Sequence, residues 1–461
     1  MPPVATTAEL LAALAMANPG DVITLQPGTY VVSSNLSCSR AGASGMPITV
    51  RAETLGTAII ESSAVEGFHV TAPYWTFENL EMRGTCADDS SCEHAFHITG
   101  LADGVVLRNN RLRDFNAQVK GNGAPVGPGG AYTWPDDVVI EGNELFDTDA
   151  RNTSNPVTKL DIVGGRRWRI RANYIHDFQK AGGDGVSYAA FLKGNSRDGV
   201  MERNLVVCSR LHTGATRIGL SLGGGGTGPD SICEDATCAP EHQDGILRNN
   251  IIAHCSDVGV YLNQGLRSKI YFNTVYDTAG IDVRYAESTA DVRANLVTGT
   301  LRDREGGTHT EAENVTGAGN AAFDGWFVDP AGLDFTLEDG AMVVDGATAL
   351  ADVTDDYCGN VRADGPPDRG AVEYDGNAPC DTRVTHPGGG GTGPGGDGGP
   401  GDGDGGTGGD GDGGTGGGDD GGGGCCSAGD RGARGGATDG AAALALGALT
   451  LAAISRRRRR A

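Results

Sequence analysis

"LRNNRL" at Leu107–Leu112 returns as "IEGNEL" at Ile140–Leu145, as "IRANYI" at Ile170–Ile175 and as "MERNLV" at Met201–Val206. "LRNNII" (Leu247–Ile252), "IYFNTV" (Ile270–Val275) and "VRANLV" (Val292–Val297) complete the set. The frame is constant: an apolar residue, two others, Asn, one more, then Leu, Ile or Val. The asparagines Asn110, Asn143, Asn173, Asn204, Asn250, Asn273 and Asn295 are 33, 30, 31, 46, 23 and 22 residues apart. A unit this short cannot bury its own apolar face, so it must stack on its neighbours. The two shortest intervals suit one bare coil of a β-solenoid, and the longer ones a coil carrying a surface loop.

The expected fold is therefore all-β, a single-stranded right-handed parallel β-helix. Stacked coils repeat about every 4.8 Å, close enough for one asparagine per coil to form a hydrogen-bonded ladder inside a corner. Those asparagines read as structural. Asp137, Asp198 and Asp244, six residues ahead of their Asn, read as turn residues. At the N-terminus, Thr7 followed by Leu10, Leu11 and Leu14 suggests a capped amphipathic helix covering the open core. At the other end, "DFTLEDGAMVVDG" through "DRGAVEY" resembles the closing segment of many bacterial β-helix proteins, and is expected to cap the coil there.

A second strand precedes each asparagine. In "AFHITG", "KLDIVG", "AFLKG", "VYLNQG" and "IDVRYA" the residues Ile98, Ile162, Leu192, Leu262 and Val283 share one apolar column and should face the core. Alternation turns their neighbours outward. One outward column is His97, Asp161, Phe191, Tyr261, Asp282; the other is Thr99, Val163, Lys193, Asn263, Arg284. "RIGLSLGG" supplies an intervening coil, with Arg217 near the same face. Mixed polar and aromatic columns of this kind make saccharide-binding troughs. His97, Asp161, Tyr261, Asn263, Asp282 and Arg284 are the candidate contacts, with His242 at the return of a loop over Gly223–Gln243.

The formal net charge of −24 argues against nucleic acid and anionic lipid as partners of the folded part. A local basic patch can still serve an anionic glycan, because screening confines interactions to about 8–10 Å. Of the 11 cysteines, Cys86/Cys92, Cys233/Cys238 and Cys358/Cys380 are close pairs in Gly-, Asp- and Ser-rich loops. They read as disulfides, hence an exported location, since no CxxC pair or matching His points to zinc. Cys208 and Cys255 suit either a thiol stack or a disulfide between adjacent coils, and the pairing of Cys38 is open.

The composition divides the chain into residues 1–376, the β-helix domain; 377–424, a linker of mostly Gly and Asp; and 425–461, a C-terminal tail. The linker has no apolar face to bury. Its Asp-Gly pairs resemble calcium-binding repeats but lack the large apolar residue those need to stack, so calcium has no clear ligand set there. The tail joins Cys425–Cys426, an apolar stretch over Gly440–Ile454 and arginines at 456–460. Arginines at the end of a short membrane helix anchor it on the cytoplasmic side. Together these features resemble the C-terminal sorting tail of myxobacterial surface proteins. That resemblance implies a membrane contact before processing, a sorting protease as partner, and display on the cell surface or outer membrane or release from it. "MPPVATTAELLAALAMANPGDV" does not read as a signal peptide, so the true start is expected upstream.

The stretch around Lys193 resembles the β-helix polysaccharide lyases that include chondroitinase B and alginate lyases. The resemblance runs over roughly Asp161 to Asn295 and rests on Lys193, the turn, the "RN" strand and then Arg217 in "TRIG". It implies that Lys193 is the base and Arg217 its assistant in β-elimination from a uronic-acid-containing polysaccharide. The family commonly holds calcium on acidic residues just ahead of the lysine, and "GVSYAAFL" offers none, so no metal ligand is assigned. The separation of Lys193 from Arg217 is a few residues long, and a different alignment puts Gly223 where the arginine should be. Two alternatives stay open. A non-catalytic carbohydrate-binding adhesin or structural surface protein would use the trough only for binding. A glycoside hydrolase would need paired carboxylates about 5–9.5 Å apart, and Asp161 and Asp282 are expected several coils apart.

Overall fold

The protein is described here from a computed structural model covering residues 1–386, apart from 128, 225, 226, 229, 363–364 and 375–379. Residues 387–461, with most of the expected linker and the whole expected tail, lie outside the described residues. Among the described residues no helix is long and apolar enough to cross a membrane.

The chain winds as a right-handed parallel β-helix whose coils contribute one strand each to three long sheets of 11, 10 and 10 strands. Sheet 1 runs from Val22–Leu25 to Thr308–Ala312, sheet 2 from Gly28–Val32 to Leu296–Val297, and sheet 3 from Leu36–Cys38 to Thr300–Arg304. Every pairing between consecutive coils in these sheets is parallel, as in Leu107 opposite Ile140 and Leu112 opposite Leu145. The apolar stacks fill one continuous core, with Phe68, Phe77 and Phe96 packed at ring separations of 4.8–5.1 Å.

The asparagine ladder turns the chain from sheet 1 into sheet 2. Asn110 Nδ2 donates to Oδ1 of Asn143 at 2.9 Å, and Asn143 Nδ2 to Oδ1 of Asn173 at 3.0 Å. The chain of amides continues through Asn204, Asn250, Asn273 and Asn295. It ends on Asn314, an eighth member that the sequence pattern missed. The residue before each amide bends left-handed, with φ of 54° at Arg203 and 53° at Phe272. A non-glycine residue is uncommon there, and the fully bonded amide ladder holds the turn against that preference.

The N-terminal helix spans Thr7–Met16 and closes the first coil. Its cap is Thr6 rather than Thr7. Thr6 Oγ1 accepts from Glu9 N and Glu9 Oε2 from Thr6 N, a reciprocal capping box. Leu10, Ala13 and Leu14 are buried, whereas Leu11 faces out.

The C-terminal segment corrects the expectation of a cap. Phe323, Phe327, Phe335, Val343, Tyr357 and Val372 do not plug the end of the coil. They pack on Leu205, Val207, Ile251, Ala253, Tyr276 and Leu296, the outward residues of sheet 2. Those strands read "LVV", "IIA" and "TVY", the first two apolar without alternation and all three buried throughout, as strands covered on both faces are. Cys380–His386 still belongs to this packing, past the boundary expected at residue 376. Thr382 Oγ1 accepts from Phe335 N at 2.7 Å, and Cys380 is bonded to Cys358. Cys86–Cys92, Cys233–Cys238 and Cys208–Cys255 are also disulfides, and Cys38 is a free buried thiol.

Candidate functional site

Sheet 3 presents the outward columns. Register pairing sets Ile98 opposite Gly121, then Ile162, Leu192, Leu222, Leu262 and Val283, so the apolar column faces the core as its spacing implies. The first outward column reads His97, Lys120, Asp161, Phe191, Ser221, Tyr261, Asp282. Lys120 was absent from the sequence-based columns because its coil carries Gly121 where the others carry a large apolar residue. A Cβ at Gly121 would meet the Trp168 ring at 2.6 Å, so the tryptophan just before the sheet 1 strand Arg169–Arg171 fills the space instead.

A trough opens over the middle of this face, lined by Lys120, Asp161, Lys180, Tyr188, Phe191 and Lys193. Lys193 ends the strand Val186–Lys193 and is partly buried. Its Nζ stands 4.6 Å over the Phe191 ring, and Tyr188 meets the same ring edge-on at 5.4 Å. Burial pushes the Lys193 ammonium below its ordinary value; Asp161 and Glu241 oppose that shift and Lys120 reinforces it. Among the described residues no carboxylate lies within ion-pair distance of Lys193. The two other lysines are partnered, Lys120 with Asp161 at 2.8 Å and Lys180 with Asp184 at 2.7 Å.

The loop after the strand Thr216–Leu222 walls the trough. Thr227, Gly228 and Ile232 line it. Glu241 pins it, accepting from Thr227 Oγ1 at 2.8 Å and from Gly194 N at 2.7 Å. Trp134 Nε1 donates to Ile232 O at 3.1 Å from the neighbouring loop. Gly224 lets the wall close, since a Cβ there would lie 2.7 Å from Lys193 Cδ.

Arg217 is not beside Lys193. Leu192 pairs with Leu222, so position 223 is the one opposite Lys193, and Arg217 stands opposite Ser187. That is six residues away along the strand, or about 20 Å at ~3.3 Å per residue. Its buried guanidinium bonds Gln179 Oε1 at 3.1 Å and the Gly214 carbonyl. His242 is also displaced from its expected role. It is fully buried, with Nδ1 2.7 Å from Ser196 Oγ, inside a small sheet joining Ser196–Arg197, His242–Gln243 and Gly265–Leu266. Burial holds its imidazole near pKa 3, uncharged.

The remaining candidates share the face but not the trough. Asp282 is buried under Arg302 and Arg304 at 2.6 and 2.7 Å. Arg284 bonds Tyr261 Oη and Glu305, each at 2.8 Å, and Asn263 is buried beside them. His97 lies on the other side, against Glu66. Asp161 and Asp282 are four coils apart, about 19 Å, which does not suit paired carboxylates. The acidic groups near Lys193 are each engaged. Asp161 is taken by Lys120, Asp184 by Lys180, and Glu241 by the loop it anchors.

No known family model matches the chain. Two curated relatives are similar in part. "Pectate lyase L" of Dickeya chrysanthemi is 28% identical over 213 residues, covering 37% of this chain and 48% of the relative. "Pectate lyase L" of Dickeya dadantii (strain 3937) is 35% identical over 85 residues, covering 15% of this chain and 20% of the relative. The chain thus spans about half the length of the first relative and a fifth of the second. Among solved structures, pectate lyase Pel9A superposes with a TM-score of 0.51 at 14% identity over 79% of this chain and 90% of its own, a likeness of fold.

Proposed function

We propose that the trough binds a uronic-acid-containing polysaccharide and cleaves it by β-elimination, with Lys193 as the base. The observation that carries this reading is Lys193 itself, a desolvated amine lying on an aromatic ring with no carboxylate of its own among the described residues. An amine so placed loses proton affinity and can act nearer neutral pH than an exposed lysine. Its free pair takes the proton on the carbon next to the uronic carboxylate. The C–H electrons form the new C=C bond as the glycosidic C–O bond breaks, and the leaving oxygen takes a proton from water. Lys120, not Arg217, supplies the cation that faces the substrate carboxylate and the charge developing on it. The partial likeness to two pectate lyases supports the same chemistry.

The purified protein is incubated with polygalacturonate, alginate and chondroitin sulphate while absorbance of the unsaturated product is followed. Product from one of them, lost about 10²–10⁴-fold in Lys193→Ala, is the expected result. Saturable glycan binding without product would replace this reading with that of a carbohydrate-binding adhesin. The four disulfides are consistent with export. Display at the cell surface through the 425–461 tail is part of the proposal, tested by protease shaving of cells carrying the full chain or a chain cut at residue 424.

A further inference from the structure

On the same sheet, before the trough, the strands Glu66–Val70 and His94–Thr99 bring together two imidazoles and a carboxylate. His69 and His97 are register partners and stack with ring centroids 5.1 Å apart and 8° between planes. Glu66 reaches between them, with Oε1 2.8 Å from His97 Nδ1 and Oε2 3.7 Å from His69 Nδ1. The three donor atoms lie within 4.8 Å of one another.

The bland account is an ordinary histidine–glutamate ion pair, but the surrounding hydrogen bonds argue for more. Asn122 Nδ2 donates to Gly123 O at 3.1 Å, which fixes the amide with Oδ1 toward His97 Nε2 at 2.5 Å. That oxygen can only accept, so His97 carries its proton on Nε2 and turns the Nδ1 lone pair toward Glu66. The Asn35 amide nitrogen sits 3.3 Å from His69 Nδ1 and can only donate, so this nitrogen too presents a lone pair. Two ring nitrogens and a carboxylate are thus gathered in one cluster, and a turn of the stacked rings aims all three donors at one point. A third imidazole, His94, lies edge-on to His97 at 5.4 Å.

We infer that Glu66, His69 and His97 form a binding site for a divalent transition metal of the zinc class. Two imidazoles and one carboxylate are the donors such ions take, and calcium, which wants six to eight oxygens, is disfavoured. Tetrahedral zinc at ~2.0–2.1 Å from each ligand needs donors about 3.3 Å apart, between the present 2.8 Å of Glu66 to His97 and 3.7 Å of Glu66 to His69. The three side chains stay 17–31% exposed, leaving an open coordination position toward solvent. Asn122 is the positioning residue that sets the His97 tautomer. The inference does not depend on the lyase reading.

The test uses the full chain, stripped with a chelator and titrated with Zn²⁺ against a chromophoric competitor, with Ca²⁺ in parallel. One zinc per chain is expected, bound at least 10²-fold more tightly than calcium. His69→Ala and His97→Ala should each weaken it at least tenfold, and Asn122→Ala 10–100-fold, with unchanged circular dichroism. His97→Gln serves if the alanine variant fails to fold. No zinc retained against the competitor, or zinc retained equally by a His69→Ala/His97→Ala double variant, overturns the assignment.

Discussion

Lys120 Nζ lies 2.8 Å from Asp161 Oδ1, and the two residues are register partners on neighbouring coils. The pair bears on Lys193 with opposite signs, Asp161 favouring its ammonium form and Lys120 opposing it. Asp161→Asn removes the favouring charge, so the Lys193 pKa falls further. The rate depends on the free amine, so the acid limb of the kcat/KM profile should move to lower pH. A limb that stays in place or moves up would show that Asp161 has no hold on the base.

Lys120→Ala and Arg217→Ala separate the two candidate cations. Loss of Lys120 is expected to lower kcat/KM by about 10²-fold, the scale for removing one group that stabilises transition-state charge. Arg217→Ala leaves Gln179 and a carbonyl without their donor, so it should lower the melting temperature while kcat/KM holds within about twofold. The reverse pattern would return the arginine to the chemistry.

Asn204 sits mid-ladder, accepting from both amide nitrogens of Asn173 and donating to Asn250 Oδ1 and Ile170 O. Asn204→Ala strips partners from buried groups on both sides, and about 3 kcal/mol of stability should go, read by chemical unfolding. A loss under 1 kcal/mol would mean that water repairs the gap.

Lys159 is fully buried, its Nζ 2.5 Å from Asp147 Oδ2 and 2.9 Å from Phe115 O. Removing one partner leaves an uncompensated buried charge, so Asp147→Ala should cost about 3–5 kcal/mol. The Lys159→Met/Asp147→Leu double variant should recover most of it. Equal losses in the single and double variants would show that the pair is needed for more than charge balance.

His176 and Asp177 set a pH window. Burial alone would raise the Asp177 carboxyl, but the His176 hydrogen bond and the N–H groups of Arg210 and Leu211 hold it at about 2. Burial would lower His176, yet Asp177 and Glu144 raise it above 6.5; Glu144 is itself bonded to Arg111 at 2.5 Å. A depressed carboxyl stabilises above its unfolded value of about 4 and loses that stability as pH falls toward 2. A raised imidazole stabilises below about 6.5 and loses that stability as pH rises past its folded value. The melting temperature should therefore be highest between about pH 4 and 6.5. His176→Gln should flatten the alkaline decline; an unchanged decline would place its origin elsewhere.

The coil was readable because Asn recurs where a buried amide must bond its copy one rung away, and because Ile98, Ile162, Leu192, Leu262 and Val283 keep one side apolar. The outward columns followed by alternation alone. What spacing could not supply was the point at which each strand begins. The loop before Thr216 let Arg217 enter its strand six residues ahead of the Lys193 level. Lys120 was hidden by Gly121, whose place in the core is filled by Trp168 from just before another strand. His242 reads as a loop residue until its pairing with Ser196 is seen. The docking of the C-terminal segment joins residues about a hundred positions apart, although the unbroken apolar triplets "LVV" and "IIA" of sheet 2 were a visible sign that something covers them.

That docking changes how the domain would bear a load. Arg210 holds Ala331 O at 2.6 Å, Thr274 Oγ1 accepts from Ala371 N at 2.9 Å, and Ala294 O accepts from Gly370 N at 2.8 Å. A pull arriving through His386 therefore enters the coil from its flank, across several turns at once, rather than at its final winding. A spring gripped along its side does not unravel from its tip, and the late windings should give way together or not at all.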